Sequence, residues 1–100
     1  MLSPSSIPEL ARSLSFLGNE QRLNILRAIV REEMFAREIS EKVGLSRPLV
    51  NIYLKQLERE GLVTGSNRIS EEPPYLRRYY RAVPFDLTVD LALITMIKEV

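Results

Sequence analysis

The side chains best placed to do chemistry in this sequence suit contact with a polyanion better than catalysis. On a helical wheel at about 100° per residue, Pro48, Asn51, Ile52, Lys55 and Arg59 fall on one side of the segment that opens at Ser46. Val50, Tyr53, Leu54 and Leu57 fall on the other, which is the core side. An asparagine amide can hold adenine by two hydrogen bonds, and an exposed apolar side chain can touch a thymine methyl. Asn51 and Ile52 fit those two roles. Arg47 suits guanine or a phosphate, and Lys55 suits a phosphate. A second cluster lies further on, where Arg77, Arg78 and Arg81 interleave with Tyr79 and Tyr80, with Arg68 upstream. In a strand, alternation sends Arg77, Tyr79 and Arg81 to one face and Arg78 and Tyr80 to the other, so one tyrosine is expected in the core.

The same inventory argues against other chemistries. With no cysteine and no histidine, thiolate metal sites, cysteine nucleophiles and the commonest general base are absent. The thirteen acidic residues form no suggestive pair, and no glycine-rich phosphate loop is present, so no enzyme, metal site or cofactor is expected. The net charge is only +1. A nucleic-acid role must therefore rest on where the charges lie. No stretch approaches the ~20 apolar residues of a bilayer span, and Met1 to Ser6 lacks the pattern of a signal peptide, so no membrane role is expected and a cytoplasmic protein is the default.

These side chains need elements to hold them. The 100 residues fit one domain, residues 1–100. Ser6-Ile7-Pro8-Glu9 has capping-box spacing and opens a helix with Ile7, Leu10, Leu14 and Leu17 on one stripe, ended by a left-handed Gly18. Asn19 caps a second helix whose stripe is Leu23, Leu26, Ile29 and Val30, widened by Ile25. Arg22, Arg27 and Arg31 lie off that stripe and are expected as solvated surface. A connection around Glu33 to Phe35 leads to a third helix, Ala36 to Val43, and Gly44 turns the chain into the fourth, Ser46 to Glu60, stopped by Gly61. Small Ser40, turning Gly44 and apolar Val50 have the spacing a helix-turn-helix requires. Leu62 to Thr64 and Leu76 to Val83 read as the strands of a hairpin with a long loop between them. Glu71 and Glu72 would keep its tip away from phosphates. The architecture is mainly α: about five helices and a two-stranded wing.

The end of the chain is too apolar for a lone surface helix. Phe85 to Leu91 alternates as a strand would, whereas Ala92 to Val100 has a helical pattern, and a helix is expected from about Leu87. Leu87, Leu91 and Ile94 form one stripe, and Ile97 is among the apolar residues that crowd the remainder. Such a helix needs two apolar partners. One is its own core, and the other is the same helix of a second chain, which makes residues 84–100 a dimerisation segment.

Leu17-Gly18-Asn19-Glu20-Gln21-Arg22-Leu23-Asn24-Ile25-Leu26 resembles the second-helix signature of ArsR-type winged helix-turn-helix regulators. Gly44-Leu45-Ser46 through Leu54, the run Leu57 to Val63, and Arg78-Tyr79-Tyr80-Arg81 resemble that family's recognition helix, its exit and its returning wing strand. The resemblance covers roughly residues 9 to 83. It implies a homodimer built from terminal helices, with Leu10 and Leu14 joining Leu87, Leu91, Ile94 and Ile97. It implies a transcriptional regulator, a repressor by type, on a pseudo-palindromic duplex-DNA operator. Its recognition positions carry over to Arg47, Pro48, Leu49, Asn51 and Ile52, headed by Ser46 and flanked by Lys55, Arg68, Arg77 and Arg78. Metal-sensing members carry a cysteine pair near residues 34–39, and none exists here. The rival reading is a winged helix used as a protein-interaction module, to which the near-neutral charge and outward Ile52 are suited.

Overall fold

The computed structural model describes residues 3–73 and 75–97. Pro74 of the expected loop and residues 98–100 of the expected last helix lie outside that range. The elements run α1 (Ile7–Leu17), α2 (Glu20–Ile29), β1 (Met34–Phe35), α3 (Ala36–Val43), α4 (Arg47–Arg59), β2 (Val63–Ile69), β3 (Leu76–Ala82) and α5 (Leu91–Met96).

The helix starts follow their capping residues. Ser6 Oγ accepts from the Glu9 amide at 3.3 Å. The Glu9 carboxylate reaches one residue beyond the box, accepting from Ser5 N at 2.8 Å and Ser5 Oγ at 2.9 Å. Those bonds, the backbone one first, hold the Glu9 carboxyl below its ordinary pKa. Asn19 Oδ1 accepts from Arg22 N at 2.9 Å to open α2. Ser46 Oγ accepts from Leu49 N at 3.3 Å to open α4.

Gly18 is not left-handed: its φ is −75°. Its amide donates to the Leu14 carbonyl at 2.8 Å. A Cβ there would lie 2.9 Å from that same oxygen, so close approach is what favours glycine. Gly44, at φ 73°, does take the left-handed conformation that lets α3 turn into α4. The Ser40 hydroxyl donates to the Leu45 carbonyl and ties that turn. Beyond α4 the chain forms a Schellman cap. Leu62 N donates to the Leu57 carbonyl at 2.9 Å, Gly61 N to the Glu58 carbonyl at 3.0 Å, and both leucine side chains are fully buried.

The core joins α2, α3, α4 and the root of the sheet through Ile25, Ile29, Ile39, Val50, Leu54, Leu57 and Leu62. The stripe of α2 is rotated from the expected one. Ile25, Leu26 and Ile29 are buried, while Leu23 and Val30 are exposed. Ile25 and Ile29 share one helix face with their neighbour Leu26, and that four-residue pair is what meets α3 and α4.

The sheet has three strands in the order β1-β3-β2, all antiparallel. The connection before α3 supplies the extra strand, with Met34 opposite Tyr80 and Phe35 opposite Tyr79. Strand β2 runs on to Ile69, so Gly65, Ser66 and Asn67 are paired residues and not part of the loop.

The last helix is shorter than expected. Residues 83–90 form neither strand nor helix, and α5 starts at Leu91, where Asp90 Oδ1 accepts from Leu93 N at 2.8 Å. None of its residues is buried, so its own core does not supply the first of the two expected partners.

Candidate nucleic-acid interface

Helix α4 positions the expected reading face. Val50, Leu54 and Leu57 anchor it in the core, and this leaves Arg47, Pro48, Asn51, Ile52, Lys55 and Arg59 exposed. Ile52 retains 51% of its surface in solvent, large for a branched apolar side chain. Ser46 is exposed but committed to its cap, and Leu49 is half-buried.

The helix is held by a clamp around Arg22, which is not the solvated surface residue expected. Its guanidinium lies 4.3 Å from the Phe16 ring centroid and 5.5 Å from that of Tyr53. Its Nη1 donates to the Phe16 carbonyl at 3.0 Å. Its Nε and Nη2 donate to Gln56 Oε1 at 3.2 and 2.9 Å. The Tyr53 hydroxyl donates to Gln21 Oε1. One planar cation thus joins the end of α1, the start of α2 and the middle of α4.

The wing sorts its charges by face, as strand alternation requires. On one face Arg77 stacks over the Phe35 ring at 4.5 Å, and Phe35 meets Tyr79 edge-on at 5.5 Å. Arg68 lies 4.8 Å from the Tyr79 ring and pairs with Glu33, which also has Arg81 at 3.9 Å. On the other face Tyr80 packs against the core, and Arg78 Nη2 donates to Glu58 Oε2 of α4 at 2.9 Å. That bond raises the Arg78 pKa, and burial is the main cause of a raised Tyr80 pKa, with the Glu58 charge next. Arg68 and Arg78 therefore already have carboxylate partners.

Between the wing, the start of α3 and the start of α4 lies a cleft of about 300 Å³. Arg37, Arg47, Arg77 and Arg78 line it with the Asn51 amide and Tyr80, and no carboxylate does. Arg37 has Glu41 at 3.9 Å in an exposed pair of little strength. Arg47, Lys55 and Arg77 have no carboxylate partner among the described residues. Arg77 Nε is buried with no hydrogen-bond acceptor among them, a state that native proteins seldom leave uncompensated. The cleft brings Arg47, Asn51, Arg77 and Arg78 together from the sequence-derived set. Arg68 lies outside its lining. Arg37 is the addition, and its position in the first turn of α3, one element before α4, was the available signal.

The proposed dimer residues are scattered in exposure. Leu10 is covered within its own chain at 4% exposure, whereas Leu14 is open at 45%. Leu87 and Ile97 are half-buried, and Leu91 and Ile94 are exposed at 81% and 43%. Among the described residues no helix is long and apolar enough to cross a membrane.

Residues 19–64 match the sequence profile of the bacterial regulatory protein, arsR family. The nodulation protein NolR of Rhizobium meliloti is 39% identical over 51 residues, which is 51% of this chain and 42% of that protein, so the match spans under half of this relative. NolR of Sinorhizobium fredii has a similar crystal structure, with a TM-score of 0.57 and 27% identity over 94% of this chain and 89% of that one. A homodimeric winged helix-turn-helix DNA-binding domain from Mycobacterium bovis superimposes with a TM-score of 0.59. It is 29% identical over 73% of this chain and 62% of that one. The fold is a winged helix-turn-helix, with the small sheet as its wing.

Proposed function

We propose, from the match of residues 19–64 to the arsR-family profile, that this protein is a transcriptional regulator that binds duplex DNA as a homodimer and acts as a repressor. The observation that carries the reading is the cleft beside α4, lined by four arginines and no carboxylate, with Asn51 at its edge and Ile52 exposed on the same helix. Asn51 and Ile52 read base edges in the major groove. Arg37, Arg47, Lys55 and Arg77 hold phosphates. No bond-making step is assigned to any residue, and the operator in bacterial cytoplasm is the partner.

The second copy supplies symmetry. Helix α5, exposed and apolar at Leu91, Ile94 and Met96, meets its counterpart together with Leu14 of α1. A two-fold protein then requires a pseudo-palindromic operator, with half-site centres about one helical turn, roughly 34–36 Å, or a multiple of it apart.

The test is selection of bound sequences from a random duplex pool, followed by titration against salt. The native protein enriches a palindrome, and Asn51→Ala relaxes one position in each half-site at a cost of about 1–3 kcal/mol on the preferred sequence. Four phosphate contacts per protomer give a dimer slope of about −7 in log affinity against log salt, or about four decades lost between 50 and 200 mM. A flat salt response with no enriched palindrome favours the protein-interaction reading, to which exposed Ile52 and the paired wing arginines are suited.

A further inference from the structure

One contact couples the reading helix directly to the wing. Glu58 stands seven residues after Asn51, two helical turns along the same face of α4. Its Oε2 accepts from Arg78 Nη2 at 2.9 Å, and Arg78 Nη1 reaches Asn67 Oδ1 at 3.4 Å. Arg78 is thus drawn back along the sheet toward the far end of α4.

The route of that side chain explains a glycine. Gly65 lies in β2 opposite Tyr80, and its φ is not in the left-handed region. Backbone conformation therefore does not call for glycine there. A Cβ on Gly65 would lie 2.6 Å from Arg78 Nε, 2.7 Å from its Cζ and 2.8 Å from Nη2. The missing side chain is the space through which the guanidinium passes to reach Glu58. Gly65, Arg78 and Glu58 come from β2, β3 and α4, and together they define one arrangement.

We infer that Glu58 is a positioning residue that sets specificity: it holds Arg78 across Gly65 and so keeps one wing charge from serving as a sequence-independent phosphate contact. The inference rests on the DNA-binding reading. A free arginine in this cleft would strengthen binding to every sequence alike, because phosphate contacts carry no sequence information. Neutralising it internally lowers affinity for random DNA without touching the contacts of Asn51 and Ile52. The ratio of specific to non-specific binding rises accordingly.

The experiment measures binding of the full chain to a random-sequence duplex and to its enriched duplex at 50–300 mM salt. The variants are Glu58→Gln, Gly65→Ala, Arg78→Ala and the Glu58→Gln/Arg78→Ala double. Glu58→Gln frees one contact per protomer. Its salt slope then steepens by about 1.8 for a dimer, and random-duplex affinity near 0.1 M salt rises about tenfold or more. The preference for the enriched duplex falls. Gly65→Ala pushes only the flexible end of Arg78, so it folds and shifts binding the same way. In the Arg78→Ala background, Glu58→Gln leaves the slope where Arg78→Ala alone puts it. An unchanged slope in Glu58→Gln overturns the inference, as does a gain that survives in the double variant, which would reflect the loss of a negative charge alone. If the native protein binds neither duplex, the DNA-binding reading itself fails and this inference with it. If it binds the enriched duplex and the four variants show no coupling, only this inference fails.

Discussion

Replacing Arg22 with alanine tests whether helix α4 is held by a clamp or merely by the core. The guanidinium lies against two rings, at 4.3 and 5.5 Å. Each such contact contributes about 0.5–1 kcal/mol where the cation is partly exposed. It also donates three hydrogen bonds, one to the Phe16 carbonyl and two to Gln56 Oε1. Hydrogen bonds from charged donors contribute about 1.5–3 kcal/mol each, but three from one half-exposed group are not additive. Taken together, Arg22→Ala should cost about 3 kcal/mol, a large part of the ~5–15 kcal/mol that stabilises a domain. At ~4–8 °C per kcal/mol for a chain of this size, the midpoint falls by about 12–24 °C. Arg22→Lys keeps the charge but not the planar fork, so it recovers less than half of the loss. Urea unfolding followed by circular dichroism gives the stability directly, and a cycle with Gln56→Ala isolates the coupling to α4. A loss within about 0.5 kcal/mol, the ordinary value for a solvated surface site, would refute the clamp.

Two other substitutions probe the dimer and the turn. Leu91→Glu combined with Ile94→Glu places charge on the exposed apolar face of α5, so sedimentation should show a monomer where the native chain is a dimer; a compact native monomer at high concentration would remove the basis for that face as an interface. Gly44→Ala meets no atom within 4 Å but forces a β-carbon into φ 73°, which costs about 1–2 kcal/mol in thermal or urea unfolding, and a neutral effect would show that the turn relaxes freely.

Much of the framework was legible because it depends on neighbours in sequence. The caps at Ser6, Asn19 and Ser46, the left-handed Gly44 and the buried face of α4 all act within one or two turns. Strand β1 was not legible, since two residues, Met34 and Phe35, are too few to show a period. Gly65-Ser66-Asn67 has the composition of a turn, yet Tyr80, Tyr79 and Arg78 opposite hold it as strand, an instance of tertiary context overriding local preference. Arg22 read as surface because its register left the apolar stripe. Its partners Phe16, Tyr53 and Gln56 come from two other helices, and no local pattern announces them. On α2 the two candidate stripes differ by less than a third of a turn, and only contact with α3 and α4 decides between them.

The near-neutral charge has a structural explanation that bears on function. Net charge sums every ionised group, whereas a phosphate responds to those within about one Debye length, roughly 8 Å at physiological salt. Some of the thirteen acidic residues are taken up by the wing. Glu33 sits with Arg68 and Arg81 on one wing face, and Glu58 sits with Arg78 on the other. Glu71 and Glu72 occupy the exposed tip. Arg47, Lys55 and Arg77 remain without such partners among the described residues, on or beside the helix that carries Asn51. A sum of +1 therefore hides a local cationic surface. Pairing the wing arginines internally also limits the charge available to bind any duplex indiscriminately. In the proposed reading, weak non-specific attraction raises the relative weight of Asn51 and Ile52 at base edges. On that reading a second copy is valuable, since doubling the contacts would double the exponent of the salt dependence and restore affinity at a symmetric site.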